Sequence, residues 1–266
     1  MEHDRPARGG ARPAVVVTGV SRRQGIGYAV ARRLAAAGAD VFCHHYAPHD
    51  AEQPWGADQV ETVLDEIREA AAPHARIMGL HADLAETGEP ARVISAAWEE
   101  CGRLDGLVCN QALSGSDGPL GALTEEDLDK HWRVDARASI LLAQAFAEHC
   151  VDGASVVFMT SGQGQGPMPG EVAYAAAKAA IAGVTLTLAD QLADRGIRVN
   201  TVNPGPVDTG YLDEGMWQAV RAKFPFGRFG QPDDAARLIG WLLSDEARWI
   251  TGQVINSEGG FARWRT

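Results

Sequence analysis

Tyr174 and Lys178 stand four positions apart, so a helix would place a phenol and an ammonium on one face. Ser161 lies a short loop upstream. A tyrosine with a pKa of about 10 exchanges protons poorly near neutrality, and a cation beside it stabilises the phenolate. The pair suits moving a proton on and off a substrate oxygen. Tyr-x-x-x-Lys occurs by chance in many helices, so its weight depends on the elements around it.

Those elements alternate. Apolar runs at 14–18, 41–44, 76–81, 106–109, 155–160, 198–202 and 253–256 read as strands. Helical patterns at 26–37, 58–71, 91–101, 125–150, 173–195 and 233–243 fall between them. Short continuous apolar strands separated by helices specify a parallel sheet covered on both faces. Right-handed crossovers make it a doubly wound α/β sheet of seven strands, which binds ligands at the carboxyl ends of its strands. Ser161 and Tyr174 both follow such an end. With no internal repeat and no low-complexity linker, residues 13–266 are expected to form a single domain after a flexible tail at 1–12.

The formal charge of −11 argues against a nucleic-acid or anionic-membrane partner. No apolar run is expected to span a membrane, and the first dozen residues lack the apolar segment of a secretory signal. Cys43, Cys101, Cys109 and Cys150 have no metal-ligand spacing, so reduced thiols, a cytoplasmic setting and no metal site are expected.

Between the first strand and first helix runs Thr18-Gly19-Val20-Ser21-Arg22-Arg23-Gln24-Gly25-Ile26-Gly27. Glycines there let the backbone approach a pyrophosphate, and the helix N-terminus offers it N–H groups. A site for NAD would carry a carboxylate at the end of the second strand, where this chain has Cys43-His44-His45-Tyr46 and its nearest downstream acid is Asp50. Arg22 and Arg23 in the turn could meet a 2′-phosphate, so NADP(H) is preferred over NAD(H). His44 or His45 could stack on adenine or touch that phosphate.

Together these residues resemble the short-chain dehydrogenase/reductase family from about residue 14 to 261, in particular its 3-oxoacyl-ACP reductase-like members. Thr18 to Gly27 is similar to the family's Thr-Gly-x-x-x-Gly-x-Gly turn with two extra residues. The resemblance implies a single-domain Rossmann fold. It also implies adenine contacts from Asp83 and Leu84, cofactor binding by Asn110, and a nicotinamide-holding stretch at Pro204, Val207 and Thr209. Thr251-Gly252-Gln253 and Glu258-Gly259-Gly260 fit as well. It further implies that Tyr174 donates the proton as hydride arrives at a carbonyl carbon, and that Ser161 polarises the oxygen. Lys178 would lower the pKa of Tyr174 and bind the nicotinamide ribose.

Two departures concern the catalytic end. Cys109-Asn110-Gln111-Ala112 stands for Asn-Asn-Ala-Gly, placing bulk beside the cofactor, and Asp135 stands for the fourth catalytic residue, an Asn. The charge of Asp135 opposes a depressed tyrosine pKa, so turnover is expected to survive with an alkaline-shifted pH optimum. Pairing of Asp135 with Arg133, Arg137 or Lys178 is the purely structural alternative. Substrate contacts are expected from Gln163, Met168 and Tyr211, with a lid at about 205–229 that includes Met216, and an opposite wall at 113–121. The substrate is a carbonyl/alcohol pair, with a 3-oxoacyl thioester as one candidate. Enoyl-thioester reduction and a catalytically silent NADP-binding sensor or scaffold are the rival readings. The resemblance implies a homo-oligomer, dimer or tetramer, assembled through the two long helices and the C-terminal strand.

Overall fold

The computed structural model describes residues 12–211, 214–262 and 264, apart from the side chains at 214, 216 and 219. Most of the expected tail, part of the lid and the Met216 side chain therefore lie outside the described residues. Seven strands, β1 (Ala14–Val17), β2 (Asp40–His45), β3 (Ile77–His81), β4 (Gly106–Cys109), β5 (Ser155–Met159), β6 (Arg198–Asn203) and β7 (Val254–Asn256), form one sheet in the order β3-β2-β1-β4-β5-β6-β7. Every pairing is parallel. The chain reverses its winding between β1 and β4, and a crevice opens there beyond the carboxyl ends.

Alternating side chains of the strands feed two cores. One face sets Val15, Val17, Val41 and Val108 against α1 (Ile26–Ala36), α3 (Val60–Ala70) and α9 (Pro232–Leu243). The other sets Val16, Phe42, Leu107 and Phe158 against α4 (Glu89–Cys101), α6 (Ala138–His149) and α7 (Val172–Gln191). A strand buried on both faces needs apolar residues throughout, which is why these runs show no polar alternation.

The structure departs from the sequence expectations in three places. Short helices α2 (Ala47–Ala51) and α8 (Glu214–Arg221) occur where loops were expected. The single helix expected over 125–150 is broken into α5 (Glu125–His131), a π-helical stretch (Trp132–Arg137) and α6. Gln111 Nε2, from a separate loop, donates to the Val134 carbonyl at 3.2 Å, and within the helix Ser139 Oγ donates to the Asp135 carbonyl at 2.7 Å. Third, α7 is long and apolar enough to cross a membrane by length and composition alone. Its buried residues Ala177, Ile181 and Ala189 join the core on one face of the sheet.

Candidate functional site

The glycine turn joins β1 to α1 with almost no room to spare. Gly19 has φ +71°, and a Cβ there would stand 2.9 Å from Asn110 Nδ2. A Cβ on Gly27 would run into the Gly19 carbonyl oxygen. Asn110 fixes the turn by donating from Nδ2 to the Thr18 and Gly19 carbonyls at 3.1 and 3.2 Å. No side chain caps α1, so its first N–H groups remain available to an anion. Beyond the turn lies a cleft of about 1360 Å³. A glycine cradle, an uncapped helix and a cleft of this size fit a dinucleotide.

Gly19, Ser21, Arg22, Gly25, Ile26 and His44 line this cleft, as do Asp83, Leu84, Asn110, Pro204, Val207 and Thr209. Gly27, Arg23 and His45 do not. Gly27 is consumed in packing the helix on the turn. Arg23 faces a separate pocket, donating to Asp58 at 2.8 Å and to Glu66 at 3.4 Å. Arg22 donates to the Thr209 carbonyl at 2.8 Å and lies 5.3 Å from the Trp55 ring, clasping the turn to the segment after β6. His45 turns toward His81, with ring centroids 5.7 Å apart. His44 is 2% exposed; its Nδ1 accepts from Gly19 N at 3.3 Å and its Nε2 meets the Ala82 carbonyl at 2.9 Å. Burial first, then the neighbouring His45 and His81, lowers its pKa to about 4, against the hydrogen bond to Ala82. Asp50 is not merely downstream of β2: α2 brings it back to accept from Ser21 Oγ at 2.5 Å.

At the other end, Ser161, Tyr174 and Lys178 line the same cleft. The Ser161 hydroxyl is within hydrogen-bonding range of the Tyr174 phenol. Lys178 Nζ lies 5.4 Å from the Tyr174 ring centroid and donates to the Met159 carbonyl at 3.3 Å. The phenol pKa is raised, by burial and then by the charge of Asp135, against the lowering effect of the Ser161 hydrogen bond. These side chains alone thus keep the phenol protonated, contrary to the lowering expected from the Tyr–Lys spacing.

Asp135 is 1% exposed. Its Oδ1 accepts from Leu113 N at 3.0 Å and lies 3.7 Å from Lys178 Nζ, while Oδ2 meets His131 Nδ1 at 3.1 Å. Of its three expected cationic partners only Lys178 reaches it: Arg133 pairs with Asp129 and Arg137 with the Ala85 carbonyl. Gln111 and Ala112 line the cleft, and the Gln111 amide turns inward to Thr18, Val134 and Ser139. Met168 and Tyr211 line the cleft, and Tyr211 is near enough to Tyr174 to interact electrostatically with it. Gln163 lies outside it, donating to Thr160 Oγ1 at 3.0 Å.

His131 and Asp117 also line this end of the cleft, and sequence reasoning missed both. Asp117 accepts from Ala173 N at 2.9 Å and Tyr174 N at 2.8 Å, capping the helix that carries the tyrosine. Since its cap comes from a remote loop, no local capping signal was available. His131 and Asp135 do share helical spacing, the one signal that could have linked them.

A doubly wound parallel sheet with a glycine turn at its switch point and Ser, Tyr and Lys converging in the cleft defines a Rossmann-type oxidoreductase. The family model for enoyl-(acyl carrier protein) reductase matches residues 19–262. The chain is 39% identical to the uncharacterised oxidoreductase YjdA of Bacillus subtilis (strain 168), covering 93% of this chain and 96% of the relative. Among solved structures it is similar to a blue fluorescent protein from a metagenomic library in complex with NADPH (30% identity, TM-score 0.83, 94% and 98% of the two chains). It is also similar to the angucycline C-6 ketoreductase LanV with bound NADP (28% identity, TM-score 0.82, 94% and 95% of the two chains). The chain belongs to the short-chain dehydrogenase/reductase family and is an oxidoreductase.

Proposed function

We propose that this protein transfers hydride between NADP(H) and a carbonyl/alcohol pair, with Tyr174 as the proton donor in reduction and the base in oxidation. The observation that carries this reading is the convergence of Tyr174, Ser161 and Lys178 on one cleft with the glycine turn. The nicotinamide supplies or accepts hydride when bound. Tyr174, held protonated by burial, gives its proton to the substrate oxygen, and Ser161 donates a hydrogen bond to the same atom. Lys178 carries positive charge beside the phenol and favours the ionised state that Tyr174 passes through.

Of the two arginines, Arg22 is the one assigned to the 2′-phosphate, because it lines the cleft and Arg23 is held by two carboxylates. The relatives bound to NADPH and NADP support the same cofactor. A larger thermal shift with NADH than with NADPH at matched concentration would overturn it. Met168 and Tyr211 are assigned to the substrate wall, and a 3-oxoacyl thioester is one substrate class that merits assay. A panel of ketones, oxoacyl thioesters, enoyl thioesters and alcohols tests the reaction. Turnover of enoyl thioesters alone would favour the reading carried by the family model's description, against the Tyr174–Lys178 spacing. Binding of NADPH with no turnover would favour a sensor. A homo-oligomer is proposed through α7 and the α5–α6 helix pair, where Leu186 is 67% and Trp132 48% exposed.

A further inference from the structure

His131 stands beside the catalytic group with both ring nitrogens engaged. Nε2 lies 3.0 Å from the Gly115 carbonyl oxygen, which can only accept, so Nε2 must carry a proton. Nδ1 lies 3.1 Å from Asp135 Oδ2. A neutral ring with its proton on Nε2 would aim the Nδ1 lone pair at a carboxylate, in a site where His131 and Asp135 are each 1% exposed. The contact is favourable only with a second proton between them.

Resting on the carbonyl-reductase reading above, we propose that His131 is a positioning residue whose proton cancels the charge of Asp135, so that Lys178 and Tyr174 face a neutral pair. The nearby carboxylates favour that proton, and the Lys178 ammonium opposes it. From the loop after β4, Asp117 Oδ2 lies 3.9 Å from Nε2; from α7, the Tyr174 ring packs edge-on at 5.9 Å, with Lys178 beyond Asp135; from α5 itself, Asp127 interacts with the ring. Burial lowers the His131 pKa, but the hydrogen bond and charge of Asp135, with Gly115 and Asp117, outweigh it and leave it raised. The alkaline shift expected from an unpaired Asp135 is thereby offset.

Two measurements on the full-length protein test the pair. In 15N-imidazole NMR, one of the eight histidines should remain doubly protonated at pH 7.5 and disappear in His131→Gln. Asp135→Asn should lower its midpoint by about one unit or more. A singly protonated His131 at pH 7, or an unmoved midpoint in Asp135→Asn, overturns the proposal. In alcohol oxidation Tyr174 must be ionised, so His131→Gln, which leaves Asp135 to draw on Lys178 alone, should move the acidic limb of kcat up by about one pH unit. Adding Asp135→Asn should bring the limb back. An unmoved limb, or a double variant that tracks His131→Gln, overturns the proposal. If the parent turns over no carbonyl or alcohol on the panel, the proposed function fails and the imidazole titration alone decides the pair. If His131→Gln does not fold, the parent and Asp135→Asn titrations decide it.

Discussion

His44, at the nucleotide end of the cleft, and His131, at the catalytic end, are both buried and both meet a backbone carbonyl through Nε2. They differ in what faces Nδ1. His44 meets the Gly19 N–H, so its ring needs only one proton; His131 meets a carboxylate and needs two. The pKa shifts are opposite, lowered for His44 and raised for His131. Burial dominates at His44, whereas at His131 the carboxylate partner overrides it.

The largest expected effect separates the two ends. Tyr174→Phe should cut turnover by about 10²–10⁴-fold while leaving the thermal shift with NADPH unchanged. A loss of that shift would mean that the ends are not independent. Next comes acid stability. His44 titrates near 4 in the folded protein against 6.5 for a free histidine, so the unfolded chain binds more protons between those values. Stability should fall as pH drops through that window, by up to about 3 kcal/mol from this residue. His44→Gln should flatten the fall in Tm between pH 6.5 and 4. His131 has the opposite sign: its contribution is complete below its unfolded pKa and is lost as pH rises through its raised folded value. His131→Gln should therefore flatten the alkaline side of the Tm profile, and an effect on the acid side would break the comparison.

A smaller effect is expected at the cap. Asp117→Ala should cost about 0.5–2 kcal/mol by denaturant unfolding and lower kcat by misplacing the first turn of α7. An unchanged kcat would show that Tyr174 is positioned without it. The smallest effect is at the nucleotide end: Arg22→Ala should reduce the NADPH shift selectively, whereas Arg23→Ala should leave it nearly unchanged. The reverse result would exchange their roles.

The strands and the main helices were legible because their burial pattern is local and periodic; boundaries moved by a residue or two at most elements. The break in the 125–150 helix was not legible, since the carbonyls of Val134 and Asp135 find partners in Gln111, from a distant loop, and Ser139. α2 was missed because its five residues carry no period, and it is α2 that returns Asp50 to the glycine turn. Gln163 was drawn into the site by its place in the loop after Ser161, but its side chain bonds Thr160 instead.

The sequence by itself determined the sheet, the glycine turn and the Tyr174–Lys178 spacing, since each depends on residues close together in the chain. It also exposed Asp135 as a charge where an amide was expected. Only the tertiary structure decided what that charge meets. His131, Leu113 and Lys178 converge on it from three segments, and the protonation of a buried group depends on the donors and acceptors packed around it.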